Sequence, residues 1–240
     1  MSRVPPETNS ASPVENDGTD RAVTDKRILR GEATRDRVLD AAERCFAADG
    51  FDAVSIRQIA AEAEVTLGVV GFHSKSKREL FRTVLARRVE PLNIARRERL
   101  AALTASKEGL TVHGLVDAYL TPYLEYASGG DPQWRAYAAL IARIVSDDRY
   151  YREVRDLYDP VALEYMDAFE TLYPNASKKD LATLLTLTVS SLLSIVASRE
   201  RISGLSHKEI PATPLDYRKA LVDFCAGGIE RTLGGMGSGT

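Results

Sequence analysis

EVTLGVVGFHSKSK, residues 64–77, decides how this chain is read. The stretch holds two glycines, three valines, a leucine and a phenylalanine between polar ends. It is too short to span a membrane and too rich in glycine for a free-standing helix. Its neighbours give it a place. Upstream, Val38, Leu39, Ala42, Cys45 and Phe46 fall at helical spacing from Thr34 onward, and Gly50 is a natural stop. Ser55 reads as an N-cap with Gln58 three residues on in the capping-box pattern, opening a short helix that carries Ile56, Ile59, Ala60 and Ala63. Glu64-Val65 makes a turn, and Thr66 caps a third short helix to about His73. Ser76 caps a fourth, from Lys77 to about Val89, with Leu80, Phe81, Val84 and Leu85 on one face.

Three helices, the last two joined by a tight turn, form a helix-turn-helix unit. Val65 then plugs the small core between the second and third helices. Thr66 leaves the first N–H groups of the third helix facing outward, and Gly68 permits close backbone approach. Lys75 and Lys77 flank the start of the fourth helix, where the dipole and an ammonium together would hold a phosphate. The stretch is thus a reading helix and its clamp.

The segment RDRVLDAAERCFAADGFDAVSIRQIAAEAEVTLGVVGFHSKSKRELF resembles the N-terminal domain of TetR/AcrR-type transcriptional regulators. The matching elements are Ala41-Ala42, Phe46, Gly50, Ser55 with Ile59-Ala60, Val65-Thr66 followed by Gly68, and Ser76-Lys77 with Leu80-Phe81. The resemblance implies duplex DNA as partner, contacted by Ser55, Arg57, Thr66, Leu67, Gly68, Val69, Gly71, Phe72, His73, Lys75 and Lys77. His73 stays open between a cap and a backbone contact. Four positions depart from the family's usual residues: Glu64 stands for Gly, Gly71 for an aromatic, Ser74 for Phe, and Leu67 for a polar or basic side chain. The reading helix therefore has few hydrogen-bonding groups, and base recognition leans on thymine methyls, backbone groups or Arg57.

The rest of the chain is read as helical, in segments near 92–105, 111–128, 132–146, 148–158, 160–173, 177–201 and 214–233, so the fold class is all-α. The expected organisation is a disordered tail over 1–30, a DNA-binding domain over 31–91, a helical ligand-binding and dimerisation domain over 92–233, and a flexible tail over 234–240. The 240 residues are 44% hydrophobic and 28% charged with a net charge of −2, so any footprint for DNA must be local. Between Arg21 and Pro91 basic residues outnumber acidic ones, fourteen to eleven. Arg21, Lys26, Arg27 and Arg30 form either a minor-groove arm or a solvated tail. Cys45 and Cys225 read as buried thiols in a reducing compartment. No run of about eighteen apolar residues and no apolar signal core occur, which makes the cytoplasm the expected location and a membrane no partner.

Nine of the ten tyrosines, the only tryptophan and Phe169 lie between 119 and 173. Buried tyrosines need partners for their hydroxyls, so this cluster suggests a cavity for a lipophilic or aromatic effector. Its candidate lining is Tyr119, Tyr123, Tyr126, Trp134, Tyr137, Ile141, Tyr165 and Phe169. Two apolar helices at the end of the chain suggest a four-helix homodimer interface through Leu184, Ser191, Leu192 and Phe224. No HExxH, CxxC, GxSxG or phosphate loop is present, and the three histidines are scattered. No catalytic site, metal or cofactor is therefore expected. The function these readings converge on is a ligand-responsive repressor of a palindromic operator. The alternatives are an activator or a regulator without effector, an all-α enzyme on the same scaffold, and a protein whose reading head has decayed into a binding module.

Overall fold

The structure, a computed structural model, describes residues 17–145, 147–207 and 213–235. Its described residues form α-helices and two short 3-10 turns, with no strand among them. By packing the chain divides into two units, residues 1–37 and 38–240.

The first unit is helical from Asp17, the start of α1 (Asp17–Asp49). Disorder was expected up to residue 30; the structure corrects this for 17–30, while 1–16 lie outside the described residues. No proline falls between Pro13 and Pro91, and once a helix is nucleated each further residue adds a hydrogen bond without a new nucleus. Residues 29–33 and 35–37 are exposed apart from the described Thr34, whose hydroxyl donates to the Arg30 carbonyl at 2.8 Å.

In the second unit α1 buries Val38, Leu39, Ala41, Ala42, Cys45 and Phe46 and ends at Gly50, whose φ of +83° closes the helix with a bond from its N–H to the Phe46 carbonyl. α2 (Ile56–Glu62) and α3 (Leu67–His73) follow and pack on each other. Phe46, Phe51 and Phe81 interlock beneath them, with Phe46 and Phe81 edge-to-face at 5.2 Å. α4 (Lys77–Ala105) runs on through Pro91 without a break, so the expected stop near Val89 is corrected. Proline removes one helical bond at a cost of about 3 kcal/mol. Burying Leu80, Phe81, Val84, Leu85, Val89 and Leu92 along one face, at about 1.5–3 kcal/mol each, outweighs it.

α5 (Val112–Ser128) is the central helix, enclosed by α4, α7 (Tyr151–Leu172), α8 (Lys178–Ala197) and α10 (Arg218–Gly234). α6 (Pro132–Val145) packs on α5 and α8. The break expected at Asp159-Pro160 is also absent, since α7 is held on both sides of Pro160 by buried Val154, Val161, Tyr165 and Phe169. Within the expected 203–214 loop, a short helix α9 (Arg199–Ser206) precedes residues 208–212, which lie outside the described ones. The tail expected over 234–240 begins at the last residue of α10; 236–240 lie outside as well. α8 is long and apolar enough to cross a membrane by length and composition, because its Thr and Ser interruptions are mild. It buries Leu181, Leu185, Thr188, Leu192 and Leu193 within the protein.

Candidate functional site

The turn between α2 and α3 is a two-bond C-terminal cap: Val65 N–H donates to the Ala60 carbonyl at 3.0 Å and Glu64 N–H to that of Ala61 at 3.1 Å. That geometry puts Glu64 at a φ of +53°, the left-handed region where glycine is at ease. The sequence departure at residue 64 is therefore a glycine position held by a glutamate. Ser55 caps α2 by accepting from Gln58 N–H at 3.1 Å, but the Gln58 side chain donates to Asp49 at 2.7 Å instead of closing the capping box. Thr66 stands at the N-cap of α3 without a side-chain cap bond, leaving its hydroxyl to the outside.

An open groove of about 450 Å³ lies between the starts of α2 and α4 and the outer side of α3. Ser55, Arg57, Leu67, Gly71 and Lys75 line it, with Ile56, Ser74 and Ser76. Five expected DNA contacts thus meet on one surface. Gly68 and Phe72 are exposed beside it, Phe72 by 85%, while Val69 and His73 are half-buried. Gly71 has nothing within 4 Å of a would-be Cβ, so the middle of α3 presents bare backbone. Among the described residues no carboxylate pairs with the side chain of Arg57 or Lys75, although Glu79 accepts from the Lys75 backbone N–H at 2.8 Å.

Lys77 does not belong with them. Its ammonium donates to the carbonyls of Phe51 (2.8 Å), Val54 (2.9 Å) and Asp52 (3.2 Å) and sits 4.6 Å from the Phe51 ring centroid. All three N–H groups are spent on tying α4 to the α1–α2 loop. The phosphate-clamp expectation for Lys77 is corrected accordingly.

In the helical remainder a cavity of about 320 Å³ opens between α5, α7 and α8 and the end of α6 with the chain after it. Its apolar wall comprises Ile144, Val145, Val154, Ala162, Leu185 and Val189; Tyr119, Tyr151 and Tyr158 add rings. Of the eight residues expected to line it, only Tyr119 does so. Tyr126 and Trp134 stack on each other at 4.4 Å, Tyr165 donates to the Arg96 carbonyl at 2.8 Å, and Tyr123, Tyr137, Ile141 and Phe169 pack into the core. Aromatic density marked the neighbourhood, but most of these rings pack into the core, and of the described tyrosines only Tyr137 and Tyr158 satisfy each other. Tyr137 and Tyr158 hydroxyls lie 2.9 Å apart, and burial pushes Tyr137 up to about 12 and lifts Tyr158 and Tyr123 well above the usual phenol range. These hydroxyls stay protonated near neutrality.

Ile144 and Asp147 also line a second cavity, of about 270 Å³, whose other wall is the α1–α2 loop at Asp49–Ala53 with Phe81 and Tyr150. Tyr150 donates to Asp52 in that loop at 3.1 Å. A second link is a buried carboxylate. Glu43 of α1, wholly buried, takes both forks of Arg88 from α4 at 2.9 and 2.8 Å, and also accepts from Arg87 (3.1 Å) and from Gln133 of α6 (3.0 Å). Nothing in the residue pattern announced Glu43 beyond its place on the apolar side of α1.

Of the residues expected at a dimer face, Phe224 is 73% exposed, Leu184 and Ser191 are half-buried, and Leu192 is 1% exposed and faces its own core. Leu192 is corrected to a core residue. Leu187, overlooked in the sequence, is 57% exposed on α8.

A reading head of this geometry on an all-α body defines a helix-turn-helix regulator. The chain matches the model of the bacterial regulatory proteins of the tetR family over residues 38–84 and the tetracyclin repressor-like C-terminal domain over residues 117–228. It belongs to the TetR family of transcriptional regulators. The HTH-type transcriptional regulator SrpR of Pseudomonas putida is 41% identical over 69 residues, 29% of this chain and 32% of that protein. The chain aligns with about a third to a half of the length of the curated relatives it matches. Among solved structures, the fatty acid degradation regulator FadR from Bacillus halodurans superposes with a TM-score of 0.59 at 11% identity, covering 81% of this chain and 95% of that one. SmeT, the repressor of the Stenotrophomonas maltophilia multidrug efflux pump SmeDEF, superposes at 0.53 with 18% identity, covering 82% and 91%. At these identities the likeness is one of fold.

Proposed function

We propose that this regulator is a cytoplasmic homodimeric repressor that leaves a pseudo-palindromic operator when a small lipophilic effector fills the cavity between α5, α7 and α8. The observation that carries the DNA reading is the groove itself, where unpaired Arg57 and Lys75 flank the exposed, glycine-opened side of α3. Phosphates go to the two cations, and base edges meet Thr66, Leu67 and Phe72. Two-fold symmetry would set a pair of such heads about 34–36 Å apart on one face of a duplex.

The effector half rests on the shared wall. Ile144 and Asp147 border both cavities, and the turn after them holds the α1–α2 loop through Tyr150. An effector that favours one position of this wall shifts the head, and the coupling is reciprocal: operator DNA weakens effector binding by the same factor. Repression is also what SmeT's name records of that protein.

Selection of operators from random duplexes with the full chain, titrated with salt, tests the reading. Recovery of a palindrome bound by two chains supports it. A folded protein that enriches no sequence sinks it and favours a binding module with a decayed head.

A further inference from the structure

Behind the Tyr119 side of the cavity lies a cation that no carboxylate of the described residues pairs. Arg96 of α4 is 5% exposed, yet no Asp or Glu reaches it among the described residues. Its neighbours behave otherwise. Arg97 grips Glu164 with three bonds of 2.8–3.0 Å, Arg99 grips Glu125 at 2.7 and 2.8 Å, and the half-buried Arg87 and Arg88 both hold Glu43. Arg96 instead donates Nε–H to the Tyr119 carbonyl at 2.9 Å and lies 3.9 Å from the Tyr119 ring centroid. One carbonyl and one ring compensate the guanidinium only in part.

Two buried polar atoms nearby have no partner: the Tyr123 hydroxyl and Asn93 Oδ1, the latter one turn before Arg96 on α4. The positive field of Arg96 reaches Tyr123, Tyr137, Tyr158 and Tyr165, opposing the lift that burial gives each of them. Tyr119 and Tyr158 in turn line the effector cavity. The cation therefore stands behind one wall of that cavity, within a ring of protonated hydroxyls and without a counter-ion.

We infer that the effector is an anionic amphiphile, a carboxylate whose head is held by Arg96 with Tyr123 as donor, and whose apolar body lies against Ile144, Val154, Leu185 and Val189. The inference rests on the effector reading above and gives it a charge. The rim supplies the contrary sign of selection: Asp147, Asp148 and Asp159 stand there with Arg155, Asp147 already bound by Arg149 and Asp159 by the Tyr151 hydroxyl. Were rim charge the determinant, the ligand would be a cation. Buried charge counts for more than exposed charge because solvent screens it less, so the inner guanidinium decides.

The probes are decanoate, decanol and decylammonium, which share a tail and differ in head charge, titrated calorimetrically into the full chain and into Arg96→Met and Arg96→Lys. The expected result is decanoate at least about tenfold tighter than decanol, decylammonium weakest, and the preference lost in Arg96→Met but kept in Arg96→Lys. The melting temperature of Arg96→Met without ligand should equal or exceed that of the parent, because an uncompensated buried charge has gone. Absence of decanoate binding, equal binding of acid and alcohol, a preference for the ammonium, or a preference unchanged in a folded Arg96→Met protein each overturns the anion site. The parent's own probe series decides the matter even if a variant fails to fold. Operator binding in the same preparations separates the two claims: DNA bound without anion preference removes this inference alone.

Discussion

Glu64 carries the structure's clearest residue-scale strain. A non-glycine residue in the left-handed region costs about 1–2 kcal/mol, and the Glu64 side chain that bears it is exposed. Replacing it with glycine relieves the strain but gives the unfolded chain more freedom, worth about 0.5–1 kcal/mol against folding. The net expectation for Glu64→Gly is a gain of about 0.5–1 kcal/mol, seen as a urea midpoint that rises with the slope unchanged. A fall in the midpoint would mean that the glutamate is bound to something in solution. Sequence pattern alone made the turn legible here, because hydrophobic spacing on either side of 64–65 left no other place for it. It could not say which residue took the left-handed angle; that followed only from the paired bonds to Ala60 and Ala61.

At the scale of elements, existence was legible and continuity was not. Helix faces at 38–46, 56–63 and 80–85 could be read from apolar spacing, and each is buried as that spacing requires. Pro91 and Pro160 misled because a local breaking rule was set against burial summed along a whole helix, and the sum won. The reading of Lys77 failed for a related reason. Its place at the start of α4 suits a phosphate, but the three carbonyls it meets come from a loop twenty-odd residues earlier, a contact that spacing cannot reveal. Lys75 and Lys77 should therefore part company on mutation. Lys75→Ala should leave the melting temperature in place and lower the salt slope of operator binding by about one. Lys77→Met should leave the slope alone and cost about 1.5–3 kcal/mol of stability, the worth of charge-assisted bonds lost to buried carbonyls. A salt slope that falls with Lys77 would return it to the DNA.

Across the whole second unit, buried Glu43 ties α1, α4 and α6 together, and Lys77 ties α4 to the loop before α2. On the proposed reading, motion of the head would be motion of α4, which also carries Arg96 against Tyr119 of the cavity wall. Such a device needs a fixed partner to push against, and α8 and α10 offer the surface for one. Leu187 and Phe224 stand on these two adjacent helices with 57% and 73% of their surface in solvent, beside the small residues Ser190, Ser194, Gly227 and Gly228. Large apolar side chains left outside a core beside small ones are what a close helix–helix association between two copies needs. The apolar run of α8 was visible in the sequence, but not its division into an inner row at Leu181, Leu185 and Leu192 and an outer one at Leu187. That division chooses the mutations. Glu at Leu192 would bury a charge and unfold the protomer, whereas Leu187→Glu with Phe224→Glu places charges where solvent already reaches. Sedimentation should show this double variant as a folded monomer with unchanged helical content, and its operator affinity should fall steeply, since each head then pays alone for its half-site. A variant that sediments as a dimer would move the interface off α8 and α10, and with it the two-fold axis that sets the spacing of the reading heads.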